Sequence, residues 1–372
     1  MLVLGKRIQA RRLCQYSALK VQESLRVSQA ILDDAIKPTQ PIVLNDLLRW
    51  RHNLEPKEEA LIRNAGKYLE LIRTRLARQL DSIRDLPLLA VLNPYISSIY
   101  KNYFASYETL SRRKAPKTSH ENLAFTEELE DMIGAHTNNV QNLATGIGQC
   151  SSILSPEETS DVLWENLRLR IGTRILAEHH IALTKSTASN FVGAVQLDVN
   201  PAEIVESIAD LLTELASVKF GFSPNVRVDI GKDVTFAYLP HHVEYILMEI
   251  MKNSFWALCS RGENVAEDNP VVVTVIRSGQ GVLIRVRDRG GGIPPEHEKR
   301  VFDFSFSSVT KSHKKYEDDT DRSLAGLGYG LPMSKVYAEF FGGQIQLQSY
   351  FGWGTDAYVT LPSPFTSINS NR

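Results

Sequence analysis

Apolar residues recur at helical spacing through the first half of the chain, and strand-like alternation appears only in the second half. From about Ser24 to Leu183 there are few strand signals. Lys57 to Leu80 carries apolar positions every three or four residues among Arg and Glu, and Pro38, Pro41, Pro87 and Pro94 punctuate the run. This pattern predicts a helical bundle. Leu86 to Pro94 is a short apolar piece between prolines and reads as a packed connection between helices. Ser186 to Asn190 is a small polar junction. Beyond it, Asn200-Pro201 opens a helix through Val205, Ile208, Leu211 and Leu212. Val226 to Ile230 and Val234 to Tyr238 alternate as strands around Gly231-Lys232. Val271 to Arg277 and Val282 to Asp288 are β-branched runs joined by Ser278-Gly279-Gln280-Gly281, which predicts a hairpin. The expected fold class is α+β, an N-terminal helical bundle followed by helices on one face of a mixed sheet.

Within the second half, Val243, Ile246, Leu247, Ile250 and Ala257 mark the buried stripe of a helix. Glu249, Lys252, Asn253 and Trp256 share another face. A carboxylate, an amine and an amide one turn apart can meet one ligand, the first taking a proton and the last ligating a hard cation. The same residues would also suit an ordinary solvated face. The strand ending at Asp288 runs into Gly290-Gly291-Gly292, where a carboxylate can accept a hydrogen bond from an exocyclic amine and the glycines admit a flat ligand. A purely structural glycine turn is the alternative. Gly326-Leu327-Gly328-Tyr329-Gly330-Leu331 then precedes Pro332 and a helix through Val336, Phe340 and Phe341, an arrangement that offers amide donors and a positive dipole end to phosphates. Between the glycine sets, Thr310 to Ser323 holds four basic residues besides His313, and four acidic ones, which fits either a surface loop or a lid over a nucleotide.

Composition narrows the partners. A net charge of -1 argues against a nucleic-acid binder held by a basic surface. The three cysteines, Cys14, Cys150 and Cys259, are far apart and lack metal-ligand spacing. No apolar run approaches the length needed to span a bilayer. Lys6, Arg7, Arg11, Arg12 and Lys20 precede the first acidic residue, Glu23, among Leu2, Val3, Leu4, Ile8 and Leu13. This is the composition of a mitochondrial presequence, or of a basic tail.

The ordered boxes Glu249 to Asn253, Asp288 to Gly292 and Gly326 to Leu331 resemble those of the GHKL ATPase and kinase superfamily. The strings Ala325 to Lys335, Phe341-Gly342-Gly343 and Gly352-Trp353-Gly354-Thr355-Asp356 are similar to the mitochondrial pyruvate dehydrogenase kinases and branched-chain 2-oxo acid dehydrogenase kinases, over nearly the whole chain from about residue 25 onward. The resemblance implies a presequence over 1–23, a helical bundle over 24–185, a GHKL ATP-binding α/β sandwich over 186–363 and a short tail over 364–372. It implies ATP and magnesium as cofactors, with Glu249 as general base, Asn253 as magnesium ligand and Lys252 offsetting charge. Asp288 would read adenine with Gly290, Gly292 and Thr355 beside it, and Ser307 and Ser308 would contact the nucleotide. Gly326, Leu327, Gly328, Tyr329, Gly330 and Leu331 would surround the phosphates. Trp256, counted with the nucleotide-binding positions, stands where many members have a basic residue, and Tyr245 stands where a histidine is usual one turn before the base. His136, Arg170 and Arg174 would make supporting contacts between domains.

The implied activity is phosphorylation of a serine on the decarboxylase component of a mitochondrial 2-oxo acid dehydrogenase complex, inactivating it. The partners would be that component, the lipoyl-bearing core and a second copy of the chain, in the mitochondrial matrix. The ending at Ser370-Asn371-Arg372 leans toward the branched-chain type, whereas the bundle and Gly352-Trp353-Gly354-Thr355 are more similar to fungal pyruvate dehydrogenase kinases. The pyruvate complex is therefore the expected target, with the branched-chain complex as the alternative. A histidine kinase or a conformational ATPase would use the same boxes.

Overall fold

A computed structural model of the chain describes residues 29–49, 57–185, 188–279, 281–304, 306 and 328–364. The leader expected over 1–23, the lid over 310–323 and the nucleotide contacts Ser307, Ser308, Gly326 and Leu327 lie outside the described residues. The chain forms two compact units, one of Met1–Gln40 and Ile62–Ala177, the other of Pro41–Leu61 and Glu178–Arg372.

The first unit is helical among its described residues, built from α1 (Gln29–Ala35), most of α3 (Lys57–Arg84), α4 (Leu88–Val91), α5 (Pro94–Arg112), α6 (Ser119–Ala135), α7 (Asn139–Gln149) and most of α8 (Pro156–Lys185), while α2 (Leu44–Leu48), the start of α3 through Leu61 and the end of α8 from Glu178 belong to the other unit. The helix starts follow from local chemistry. Asn93 accepts from Tyr95 N–H ahead of Pro94, Thr118 accepts from Glu121 N–H, and Ser155 and Glu158 form a reciprocal capping box before α8. Ile72, Leu76, Leu80 and Ile83 of α3 and Ile96, Ile99 and Leu110 of α5 form the core. One carboxylate is buried there. Burial pushes Asp34 upward, but hydrogen bonds from Lys37 and Tyr107 and the charge of Arg73 outweigh it and hold the group below the ordinary range. His136 packs within this unit, 2.9 Å from Ser106 Oγ and edge-on to Tyr103.

The second unit carries two sheets. Strands β1 (Phe191–Val192), β2 (Val195–Val199) and β4 (Phe236–Tyr238) form one, in the order β1-β2-β4. The other is five-stranded and mixed, with β3 (Val226–Ile230), β5 (Val271–Ser278), β6 (Gly281–Asp288), β7 (Gln344–Tyr350) and β8 (Gly354–Pro362) in the order β3-β5-β6-β8-β7. The hairpin read at Ser278 to Gly281 is β5–β6. Val226 to Tyr238 behaves differently: β3 pairs parallel with β5, whereas β4 pairs with β2, so the two segments around Gly231-Lys232 serve different sheets. Alternation marks each segment as a strand but does not say which strand it pairs with.

Helices α9 (Pro201–Phe220), α10 (Pro240–Cys259) and α13 (Gly330–Phe340) lie against the five-stranded sheet with α10 in the middle, and two short helices, α11 (Glu263–Asp268) and α12 (Pro295–Glu298), fill connections. Val273, Val275, Ile284, Val286 and Val359 supply the inner face of the sheet. On its outer face Arg287 grips Asp356 through two 2.6 Å hydrogen bonds. His179 and His180 are also buried in this unit, and Ala194 N–H donates to His179 Nδ1. No helix among the described residues is long and apolar enough to cross a membrane.

Burial, as the leading cause, pushes His136 down to about 4, His179 to about 3 and His180 to about 4. The unfolded chain, with ordinary imidazoles, therefore binds more protons than the folded one below about pH 6.5. The stability these groups confer is complete above that pH and is lost as pH falls toward their folded values. Urea midpoints followed by circular dichroism should be flat between about pH 7 and 8 and should fall steadily below about pH 6.

Candidate functional site

Pro240 starts α10, whose apolar stripe at Val243, Ile246, Leu247 and Ile250 is fully buried, which fixes the rotation of the helix and aims the neighbouring positions away from the core. Glu249 is only 8% exposed. Its Oε1 lies 2.6 Å from Lys252 Nζ, an ion pair one turn along the helix and largely removed from water. Asn253, the next residue, is exposed. On the other side of the carboxylate stands the start of α13. A Cβ built on Gly330 would lie 2.1 Å from Glu249 Oε2.

The second group forms where β6 ends. Asp288, also 8% exposed, accepts from Gly290 N–H at 2.8 Å and from Ser254 Oγ of α10 at 3.1 Å. Burial raises its proton affinity, and hydrogen bonds from Gly290, Ser254 and Thr355 work against that rise. Thr355 is its register partner on β8, 3.0 Å from Ser349 Oγ, which in turn accepts from Ile293 N–H at 2.7 Å. The glycines beside Asp288 have a reason beyond room for a ligand. A Cβ on Gly290 would lie 2.5 Å from Ala257 Cβ on α10. Gly292 has φ +72°, and a Cβ there would lie 2.4 Å from Tyr350 O. Gly291 N–H donates to Trp353 O and Gly352 N–H donates to Gly291 O, tying this loop to the β7–β8 turn. The fold itself needs these glycines, whatever binds beside them.

Of the third box, Gly328, Tyr329, Gly330 and Leu331 are described. Gly328 has φ +77°, a backbone state that favours glycine. Tyr329 is buried with its ring 5.6 Å from that of Phe304, and Leu331 is half-buried in the first turn of α13 ahead of Pro332. Glu249, Lys252 and Gly330 thus come together, as do Asp288, Gly290 and Thr355, and Ser254 links α10 to the second group. Trp256 turns instead toward α9, edge-on to Phe220 at 5.8 Å with Lys219 over its ring. Sequence reasoning did not single out Ser254 or Ser349, because each acts through a partner distant in the chain and neither stands in a recognisable box.

A helix bearing a buried acid and a lysine, a strand-end aspartate and a glycine stretch entering a second helix together define a nucleotide-binding fold of the GHKL class. Residues 238–364 match the family described as histidine kinase-, DNA gyrase B- and HSP90-like ATPase, and residues 41–196 match that described as mitochondrial branched-chain alpha-ketoacid dehydrogenase kinase. Among curated proteins, the chain is 31% identical over 347 residues to the mitochondrial [pyruvate dehydrogenase (acetyl-transferring)] kinase 1 of Saccharomyces cerevisiae, covering 90% of this chain and 86% of that one. It is 27% identical to the mitochondrial [pyruvate dehydrogenase (acetyl-transferring)] kinase of Arabidopsis thaliana, covering 82% of this chain and 86% of the relative. With isozyme 4 of Homo sapiens it shares 26% identity over 82% of this chain and 78% of that protein. The chain belongs to the pyruvate dehydrogenase kinase family.

Because Gly292 combines a left-handed backbone with a closed-off Cβ position, Gly292→Ala should lower stability by about 1–3 kcal/mol in denaturant unfolding. Ser254→Ala, which removes one hydrogen bond from a buried carboxylate that keeps another, should cost about 1–2 kcal/mol in the same measurement.

Proposed function

We propose that this chain transfers the γ-phosphoryl group of ATP to a serine of the decarboxylase component of the mitochondrial pyruvate dehydrogenase complex, inactivating it. The observation that carries the chemistry is the buried Glu249, ion-paired with Lys252 and one turn from Asn253 at the head of α13. Glu249 takes the proton of the serine hydroxyl as its oxygen bonds to phosphorus and the bond from phosphorus to the ADP oxygen breaks. Lys252 offsets phosphate charge, and Asp288, kept in place by Ser254 and Gly290, accepts from the adenine amine with Thr355 beside it. Ser307, Ser308, Gly326, Leu327, Gly328 and Leu331 complete the nucleotide contacts in this reading.

Among the described residues no group of three His, Cys, Asp or Glu side chains could hold a metal ion. The exposed Asn253, one turn from Glu249, would offer its amide oxygen as the protein ligand of a magnesium ion. When bound, magnesium neutralises charge on the phosphates. The chain acts in the mitochondrial matrix, as a homodimer, and docks on the lipoyl-bearing core of the complex. The names of the relatives support the mitochondrial assignment and the pyruvate complex as target. The branched-chain complex is a second reading because the family matching residues 41–196 carries its name. The relatives matched along most of the chain favour pyruvate.

Incubation with labelled ATP, magnesium and each of the two complexes separates the readings. Phosphoserine should form on the pyruvate complex, and Glu249→Gln should lower the rate about a hundredfold or more while ATP still binds. Labelling of the branched-chain complex alone would reverse the substrate, and ATP hydrolysis without labelling of either would replace the kinase with a conformational ATPase.

A further inference from the structure

We propose that Gly330 is a positioning residue that seats the Glu249 carboxylate against the head of α13, so that the stretch Gly328–Gly330 sets the place of the proton acceptor. The proposal deepens the reading of Glu249 as general base and rests on it for its catalytic part. The Glu249 carboxylate is paired on one side, Oε1 lying 2.6 Å from Lys252 Nζ, and on the other its Oε2 occupies the space beside Gly330, 2.1 Å from where a Cβ would stand. Even the carboxyl carbon would be only 3.0 Å from that Cβ. The acid has little room to withdraw, because it is 8% exposed on a helix anchored by Ile246 and Ile250.

Two glycines two residues apart are therefore glycine for different reasons. Gly328 has φ +77°, so its own backbone favours the residue. Gly330 is outside the positive-φ set and is the first residue of α13, with its carbonyl accepting from Ser334 Oγ at 2.9 Å. At a helical position without a conformational demand, alanine is ordinarily the better residue. What an alanine would meet here is the carboxylate of another helix, which would have to swing out of its place. The seat is also electrostatically suited, since a helix N-terminus favours a negative charge. A side chain at position 330 would displace the acid, since the atoms nearest to its Cβ are Glu249 Oε2 and the carboxyl carbon. Proton transfer is sensitive to such displacement, an error of about 1 Å being able to cost roughly a hundredfold in rate.

The test is a double-mutant cycle on the nucleotide-free full chain with Gly330→Ala, Glu249→Asp and the pair. Aspartate is one methylene shorter and withdraws the carboxylate from the seat. Gly330→Ala alone should lower the thermal unfolding midpoint by about 2–8 °C, and the same change made in the Glu249→Asp background should lower it little or raise it. Additive losses would overturn the proposal. If Gly330→Ala fails to fold, the double variant should still fold, and failure of both would likewise overturn it. In the phosphorylation assay Gly330→Ala should lower kcat about tenfold or more while ATP affinity by calorimetry stays within about threefold. A loss of ATP affinity matching the loss of kcat would return Gly330 to a phosphate contact and reject the positioning role. Should the wild-type chain phosphorylate neither complex, the kinase reading fails, and the thermal cycle still decides separately whether Gly330 seats the acid.

Discussion

Everything near the candidate site depends on how closely other backbone can approach α10. That helix buries one stripe in the core and offers, along its other faces, a carboxylate, a serine and an alanine to two segments, the end of β6 with its following loop and the start of α13. At Ala257 the approach comes from Gly290, at Glu249 from Gly330, and at Ser254 from Asp288. In two of the three cases the approaching residue has no side chain, because one would overlap the helix. Close packing of this kind resists small displacement, since interiors have few voids into which a group can retreat. The site is thus a property of how α10 is enclosed, and its chemistry follows from which groups the enclosure leaves facing one another.

Much of this was legible in the sequence, for identifiable reasons. The apolar stripe at Val243, Ile246, Leu247 and Ile250 fixes a helix and leaves Glu249 and Lys252 one turn apart, which is why their shared face could be read from spacing, although that they pair with each other was not so read. The β5–β6 hairpin was equally open, because a short Gly-containing connection between β-branched runs has few other meanings. The capping residues Asn93, Thr118 and Asn200 announce helix starts through chemistry confined to a few neighbouring positions.

What local pattern could not supply was any fact that depends on distant pairing. The periodicity of Val226 to Tyr238 does not reveal that its two strands enter different sheets. Ser254 looks like one more polar residue on a helix until Asp288 arrives beside it. The glycines after Asp288 were read as space for a ligand, yet Gly290 and Gly292 answer to Ala257 and Tyr350. Trp256 shares a helical face with Glu249 by spacing, but the long indole leans onto Phe220 of the adjacent helix, which spacing on one helix cannot foresee.

The pairing of β6 with β8 has a consequence for how this domain can change over time. Arg287 and Asp356 are clasped across it although 69 residues separate them in the chain. The same ladder sets Asp288 beside Thr355, so the two walls of the site are joined by hydrogen bonds and not by the covalent path between them. The entropic penalty for closing such a path grows only logarithmically, about 0.6 kcal/mol for each doubling of its length. The number of residues between the walls can therefore change at little thermodynamic expense, provided that α13, β7 and the glycine stretch before α13, which lie in that span, keep their places. A lineage could in this way alter the length of the connections between those elements while the walls stay in register.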